Sequence, residues 1–265
     1  MAIYYRIVLT CIMLLTPAVH SMDNQGPLEV ISFDLDGVFN QNIHLPKEFQ
    51  LSPWIACLSN HSPLVQAAHK DNAGLINKLT VEFETEQKPF AVYPVMPIVQ
   101  LIKNLRSKGY LVVAATNQTV IMHKSCRRNL RDQHDLNLDD FFDVTLVTLE
   151  KNGNQPPPDE SVLDNAPSLY HHVEGTLHAV SYQDLGKPHK HYYLALQSLV
   201  KSKHPKITKI IHIDDLKINI LGAQQVTDMH GIHFDVDVRT ADIATITAAV
   251  VKIKDGLKAH GIECD

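Results

Sequence analysis

Short apolar runs alternate along this chain with longer stretches in which apolar positions recur every three or four residues. Leu28 to Phe33 is a mostly apolar run containing Val30 and Ile31, and its length predicts a buried strand. The spacing predicts a helix over 97–108: Pro97 opens it, Ile98, Leu101, Ile102 and Leu105 fall on one face, and Gly109 closes it. Leu111 to Ala115 reads as a second buried strand, Val144 to Val147 as a third, Ile210 to Ile213 as a fourth and Ile232 to Val236 as a weaker fifth. His189 to Lys201 carries Tyr192, Leu196, Leu199 and Val200 at helical spacing. Strands alternating with helices predict an α/β protein, with a Rossmann-like, doubly wound parallel sheet.

Two intervals are too long for ordinary connections. Residues 40–93 separate the first strand from the first helix and predict a small inserted cap, which leaves a catalytic core of residues 22–39 and 94–265. Residues 151–175 contain Pro156, Pro157 and Pro158 among Asp, Asn and Gly, and read as an exposed loop or a small second insertion. Residues 1–21 stand apart from both. Arg6 precedes an apolar stretch from Ile7 to Leu15, and Val19 and Ser21 stand three and one before Met22, which is the pattern of a cleaved signal peptide. The stretch is shorter than the ~20 residues of a membrane span. The expectation is an exported chain, periplasmic or secreted, with no stable membrane span after cleavage.

Composition narrows the classes further. The chain has 265 residues, 45% of them hydrophobic, enough for a substantial core. Its formal charge is −5, and loss of residues 1–21 leaves 23 basic against 29 acidic residues, a balance of −6. A net acidic protein is a poor nucleic-acid binder. Cys57, Cys126 and Cys264 then remain, an odd number without metal-type spacing, so neither a disulfide framework nor a zinc site is indicated, although one disulfide stays open.

The residues with chemical potential sit mostly at strand ends. Asp34-Leu35-Asp36-Gly37-Val38 follows the first strand, placing two carboxylates at the carboxyl edge where α/β sheets bind ligands. Taken alone, an Asp-x-Asp is common at turns. Thr116 and Asn117 follow the second strand, a hydroxyl and an amide suited either to phosphate oxygens or to a helix cap. Lys187 is held between Gly186 and Pro188 at a helix start. Asp214 and Asp215, with Asn219 nearby, close another buried strand, and adjacent acids there suggest a cation.

The order of these motifs resembles the haloacid dehalogenase-like (HAD) hydrolase superfamily, phosphatase branch, over residues 28–240 or so. The resemblance implies that Asp34 is a nucleophile and Asp36 a general acid and then base. It implies that Thr116, Asn117 and Lys187 hold the phosphoryl group. Magnesium would be bound by Asp34, the Asp36 carbonyl and Asp215, supported by Asp214. Members that attack carbon and release halide lack the second acid, so Asp36 favours phosphoryl transfer. The activity implied is hydrolysis of phosphate monoesters through a phospho-aspartate, on a small phosphorylated substrate or a phosphoprotein. The alternatives are a phosphomutase on sugar phosphates and a secreted phosphatase or binding protein acting on a partner protein.

Other features read more plainly. His171 with His172, His189 with His191, and His230 with His233 look like ligand pairs, yet no acid or Cys completes a set around them. His123, Lys124, Arg127, Arg128 and Arg131 read as a solvated helix face. Phe39 and Asn219 depart from the residues more usual at their positions in the family. Phe49, Trp54 and Phe83 are expected to pack within the cap.

Overall fold

The computed structural model describes residues 28–42, 92–149, 168–182 and 185–264. The expected signal peptide, residues 43–91 of the expected cap, and residues 151–167 lie outside the described residues. So do Cys57, Phe49, Trp54 and Phe83.

The described elements build a seven-stranded sheet and, apart from it, a two-stranded ribbon. In chain order the strands are β1 (Leu28–Phe33), β2 (Asn40–Asn42), β3 (Val92–Pro94), β4 (Leu111–Thr119), β5 (Val144–Thr148), β6 (Tyr170–Glu174), β7 (Leu177–Val180), β8 (Ile207–Asp214) and β9 (Met229–His233). The helices are α1 (Met96–Ser107), α2 (Val120–His134), α3 (Lys190–Lys203), α4 (Lys217–Ala223) and α5 (Ile243–Ala259). The large sheet runs β6-β7-β5-β4-β1-β8-β9. All its neighbours are parallel except β6 and β7. This is the α/β doubly wound sheet that the alternation predicts.

β1 lies between β4 and β8, with Val30 opposite both Leu111 and Ile210. Both edges of β1 are therefore paired and helices cover both of its faces, which is why its sequence is nearly continuous in apolar residues rather than alternating. Ile31 and Phe33 enter one core with Ile98, Leu101, Ile102 and Leu105 of α1, Leu130 of α2, and Val250, Ile253 and Leu257 of α5. Val30 enters the other with Tyr192, Tyr193, Leu196 and Leu199 of α3 and Ala223, the last residue of α4. Each such fully buried side chain contributes about 1.5–3 kcal/mol relative to its exposed state. The chain passes from β1 outward through β4, β5 and β7, then returns to β8 on the opposite side of β1. The order of the strands thus reverses beside β1, and in α/β sheets ligands bind at the carboxyl ends of the strands at such a point.

The structure departs from the sequence reading at β9, at β6, at the point where residues 40–42 meet 92–94, at β4, which runs on to Thr119 and so contains Thr116 and Asn117, and at His123, which is buried rather than on a solvated face. The last parallel strand is Met229–His233 rather than Ile232–Val236. Its register sets Met229 opposite Ile210 and Gly231 opposite His212. A Cβ at Gly231 would stand 2.4 Å from Ile220, so the close crossing of α4 selects a glycine where the hydrophobic pattern shows a gap. Phe234, outside the strand, is the residue that enters the core. The second departure is β6: residues 170–174 of the supposed loop form an edge strand, antiparallel to β7. His171, His172 and Glu174 are exposed on it, so it carries no apolar run to betray it. The third lies where the expected cap would join the core: Asn40–Asn42 and Val92–Pro94 pair antiparallel, Asn40 opposite Pro94. Both arms therefore leave the core at one point, and Val95 N–H donates to Phe39 O at 2.8 Å.

Cys126 and Cys264 are buried thiols, not joined in a disulfide. Among the described residues no helix is long and apolar enough to cross a membrane.

Candidate active site

The sheet pairing continues one residue beyond β1, since Asp34 N–H donates to Ile213 O at 2.9 Å. The backbone then closes a tight turn in which Phe39 and Asn40 N–H groups both reach Leu35 O at 2.9 Å. Gly37 has φ +86°, and a Cβ there would stand 2.3 Å from Asp215 Oδ2. Glycine thus meets two demands at once, a left-handed backbone and the approach of a carboxylate. Phe39 anchors the turn by edge-to-face contact with Phe141 and Phe142, at centroid separations of 5.6 and 5.3 Å. Its size, unusual for the family it resembles, is used in packing.

Lys187 joins the two strand ends. It is only 1% exposed, and its Nζ lies 2.8 Å from Asp34 Oδ1 and 2.7 Å from Asp214 Oδ2. Burial pulls the ammonium toward deprotonation, but Asp214 and Asp34 outweigh it and hold the pKa above that of an ordinary lysine. The main chain is held as firmly. Asn117 Nδ2 donates to Lys187 O at 3.0 Å, and Asn117 Oδ1 accepts from Lys187 N–H at 2.7 Å. Both ends of the Asn117 amide thus clamp the lysine loop, a use that its place after a strand did not suggest. Thr116 is buried on β4 and its Oγ1 accepts from Gln118 N–H at 3.2 Å.

The two adjacent acids have unlike surroundings. Asp214 Oδ1 accepts from Leu216 N–H and Asn219 Nδ2, both at 2.9 Å. Its Oδ2 accepts from Lys187 Nζ at 2.7 Å, and from His212 Nε2 and Asn219 Nδ2, both at 3.1 Å. Burial pushes Asp214 up, yet Lys187 and His212 overcome it and hold the carboxyl below the usual range. Burial keeps His212 neutral, so its Nε2–H faces Asp214 and its Nδ1 accepts from Ser32 Oγ at 3.1 Å. Asp215 lacks such support. Its Oδ1 is buried without a hydrogen-bond partner, and burial together with Asp214 pushes its pKa up to about 7. Burial also raises Asp34, against the pull of Lys187. Asp34 Oδ1 further accepts from Leu35 N–H at 2.7 Å, which fixes its carboxyl.

Ligand atoms of Asp34, Asp214 and Asp215 all lie within 4.8 Å of one another. An uncompensated carboxylate oxygen beside a second carboxylate is the environment a hard cation satisfies. The residues present therefore fit a magnesium ion at Asp34 and Asp215, with Asp214 already engaged in holding Lys187 and Asn219. Asn219 stands where an acid is frequent in the family it resembles, and here its amide donates to Asp214.

Asp36 lies alongside, its Oδ1 accepting from Asn40 Nδ2 and Gln118 Nε2, each at 2.9 Å. The structure thus brings Asp34, Lys187, Asp214 and Asp215 together at one sheet edge, with Asp36 on the turn that Asp215 approaches. Gln118, Asn40 and His212 were not singled out from the sequence. Gln118 stands two residues beyond Thr116, but a glutamine in a strand carries no local signal of its partner. The His171 and His172 pair lies on exposed β6, far along the sheet from β1, and among the described residues no metal-type cluster forms around it.

No family model matches the chain, and no curated protein matches it. Solved structures similar to it include an archaeal β-phosphoglucomutase from Pyrococcus, 12% identical over 84% of this chain and 99% of that one, with a TM-score of 0.41. A HAD-family enzyme from Bacteroides thetaiotaomicron is 16% identical over 79% of this chain and 94% of its own, with a TM-score of 0.42. A dehalogenase is 13% identical over 82% and 88%, with a TM-score of 0.43. The fold and the site of this chain define an α/β protein with an acidic, lysine-bridged edge at the switch point of its sheet. Its motifs stand in space in the order that resembles the HAD-like hydrolases: Asp34 after β1, Thr116 on β4, Lys187 before α3, and Asp214 and Asp215 at the end of β8.

Proposed function

We propose that this chain is an exported, magnesium-dependent phosphatase of the HAD-like kind, hydrolysing phosphate monoesters through a phospho-aspartate on Asp34. The observation that carries the reading is the buried Lys187 bridging Asp34 and Asp214 beside the unpartnered oxygen of Asp215. That arrangement supplies an oriented carboxylate, a fixed cation and a place for a second cation.

The carboxylate of Asp34 attacks phosphorus as the bond to the leaving oxygen breaks, and Asp36 gives that oxygen its proton. Asp36 then takes a proton from water as the water oxygen attacks phosphorus. The bond from Asp34 to phosphorus breaks, returning the carboxylate and releasing inorganic phosphate. Lys187 holds Asp34 in place and neutralises charge near the phosphoryl group, while Thr116 and the adjacent main chain bound the position of its oxygens. Asp34, the Asp36 carbonyl and Asp215 would hold the metal. Magnesium, which favours oxygen ligands and keeps waters, supplies charge neutralisation between the carboxylates and a phosphate dianion.

Export rests on the Arg6, apolar middle and Val19/Ser21 pattern, and sequencing the amino end of the exported chain should give Met22 or a close neighbour. Activity is tested by phosphate release from sugar phosphates, nucleotides and phosphopeptides, in magnesium and in chelator, with mass spectrometry of the trapped phosphoenzyme. Release that needs magnesium and a phosphoryl group on Asp34 support the reading. Full turnover in excess chelator, or in a folded Asp34→Asn protein, overturns it.

A further inference from the structure

We infer that Gln118, locked in place by His123, is a positioning residue that orients the Asp36 carboxyl toward the leaving group. The inference rests on the phosphatase reading above and deepens it.

Gln118 is 3% exposed at the end of β4, and His123 is 1% exposed in the first turns of α2. Gln118 Nε2 donates to Asp36 Oδ1 at 2.9 Å, and its Oε1 lies 3.1 Å from His123 Nδ1. The two ends of an amide are chemically different, and only its NH2 can donate to a carboxylate. Its oxygen must then face His123, so Nδ1 carries the imidazole hydrogen. Burial and Arg127 lower His123 to about 3, so at neutral pH the ring has a single N–H and spends it on Gln118. Turning the amide over would set its oxygen against the Asp36 carboxylate and lose that bond, whichever tautomer His123 then took. A carboxylate facing a buried amide oxygen is strongly disfavoured, and that holds one orientation.

The lock matters because of where it ends. Asn40 Nδ2 donates to the same Asp36 oxygen at 2.9 Å. Two N–H donors meeting Oδ1 fix the carboxyl plane and reserve that oxygen as an acceptor. The fixed plane in turn fixes where Oδ2 stands. Apolar side chains would fill this buried space at lower desolvation cost. Three polar groups in series, from α2 through β4 to one oxygen of the acid, are accounted for by orientation rather than by packing.

The test compares the purified full chain with Gln118→Leu, His123→Phe and His123→Asn on a series of phosphate monoesters, from alkyl to nitrophenyl leaving groups. An asparagine amide nitrogen occupies nearly the place of imidazole Nδ1, so His123→Asn keeps the donor. An acid is needed most by alkyl leaving groups and hardly by nitrophenolate. Gln118→Leu and His123→Phe should each lower kcat on alkyl phosphates by roughly 10- to 100-fold, with less than about threefold change on nitrophenyl phosphate and little change in KM. His123→Asn should recover most of the loss. Thermal unfolding of each variant verifies folding, and a failure of Gln118→Leu to fold leaves the His123 pair to decide. A uniform loss across leaving groups, no loss at all, or no recovery in His123→Asn overturns the positioning role while phosphatase activity stands. A wild-type protein inactive on every ester removes the phosphatase reading itself, and the inference with it.

Discussion

Lys187 Nζ and Asp214 Oδ2 stand 2.7 Å apart with both side chains fully withdrawn from solvent. A buried pair of this kind adds little net stability over apolar residues of the same shape, but removing one partner leaves an uncompensated charge at a cost of ~3–5 kcal/mol. Lys187→Met should therefore destabilise the protein by about that amount, because it strands both Asp34 and Asp214. Adding Asp34→Asn to Lys187→Met should restore part of the loss. Denaturant unfolding in chelator measures both proteins, and a double variant no more stable than the single one would show that charge pairing is not the source.

Asp215 makes the stability depend on pH in a defined direction. Its pKa is raised from 3.8 to about 7 in the folded protein, so between those values the folded state holds a proton that the unfolded chain releases. Stability from this group is fully present below about pH 4 and lost as pH rises through about 7. Asp34 is shifted in the same direction. Without metal, the melting temperature should fall between pH 5 and pH 8, and magnesium should raise it most at the upper end, where the carboxylates are free of protons. Asp215→Asn should flatten the pH dependence and remove the magnesium effect. A melting temperature independent of magnesium at pH 8 would contradict the metal site.

Asp34→Asn separates chemistry from folding. It replaces the attacking carboxylate by a neutral amide and should lower kcat by at least ~10³-fold. It also removes one of the crowded carboxylates while Lys187 keeps Asp214, so the melting temperature in chelator should hold or rise. A folded variant with substantial turnover is the opposing result.

Gly37 is required by its φ of +86° and by Asp215 Oδ2, which a Cβ there would meet at 2.3 Å. Gly37→Ala should cost about 1–2 kcal/mol for the left-handed backbone alone. The added Cβ should also drive Asp215 away and weaken magnesium binding roughly tenfold or more, a loss of about 1.4 kcal/mol per factor of ten. Calorimetric titration with magnesium measures the second effect separately from the first, and unchanged affinity would mean Asp215 is not a ligand.

The central strand β1, the helix α1 and the fourth predicted strand were legible because buried parallel strands and amphipathic helices write their environment into a local pattern of apolar residues. The acids at Asp34, Asp36, Asp214 and Asp215 were legible for the same reason, since a carboxylate closing an apolar run marks a strand end. Edge elements were not. β6 carries exposed histidines, and β9 takes its register from Gly231 beneath Ile220, a contact between segments that no local window contains. The division of labour within the site was equally hidden. Asp214 and Asp215 are identical neighbours in the chain, and only packing gives one of them Lys187, His212 and Asn219 while leaving an oxygen of the other without a partner. Asn117 and Gln118 are likewise adjacent amides on β4. Alternation along the strand turns one toward the Lys187 loop and the other toward Asp36, and those partners come from segments far away in sequence. The sequence by itself determined which residue types stand at the strand ends, because that depends on each segment's own burial. The tertiary structure alone decided which of them share a lysine and which keep an oxygen without a partner, because hydrogen bonds and charge pairing act over a few ångströms between atoms that the chain order keeps apart.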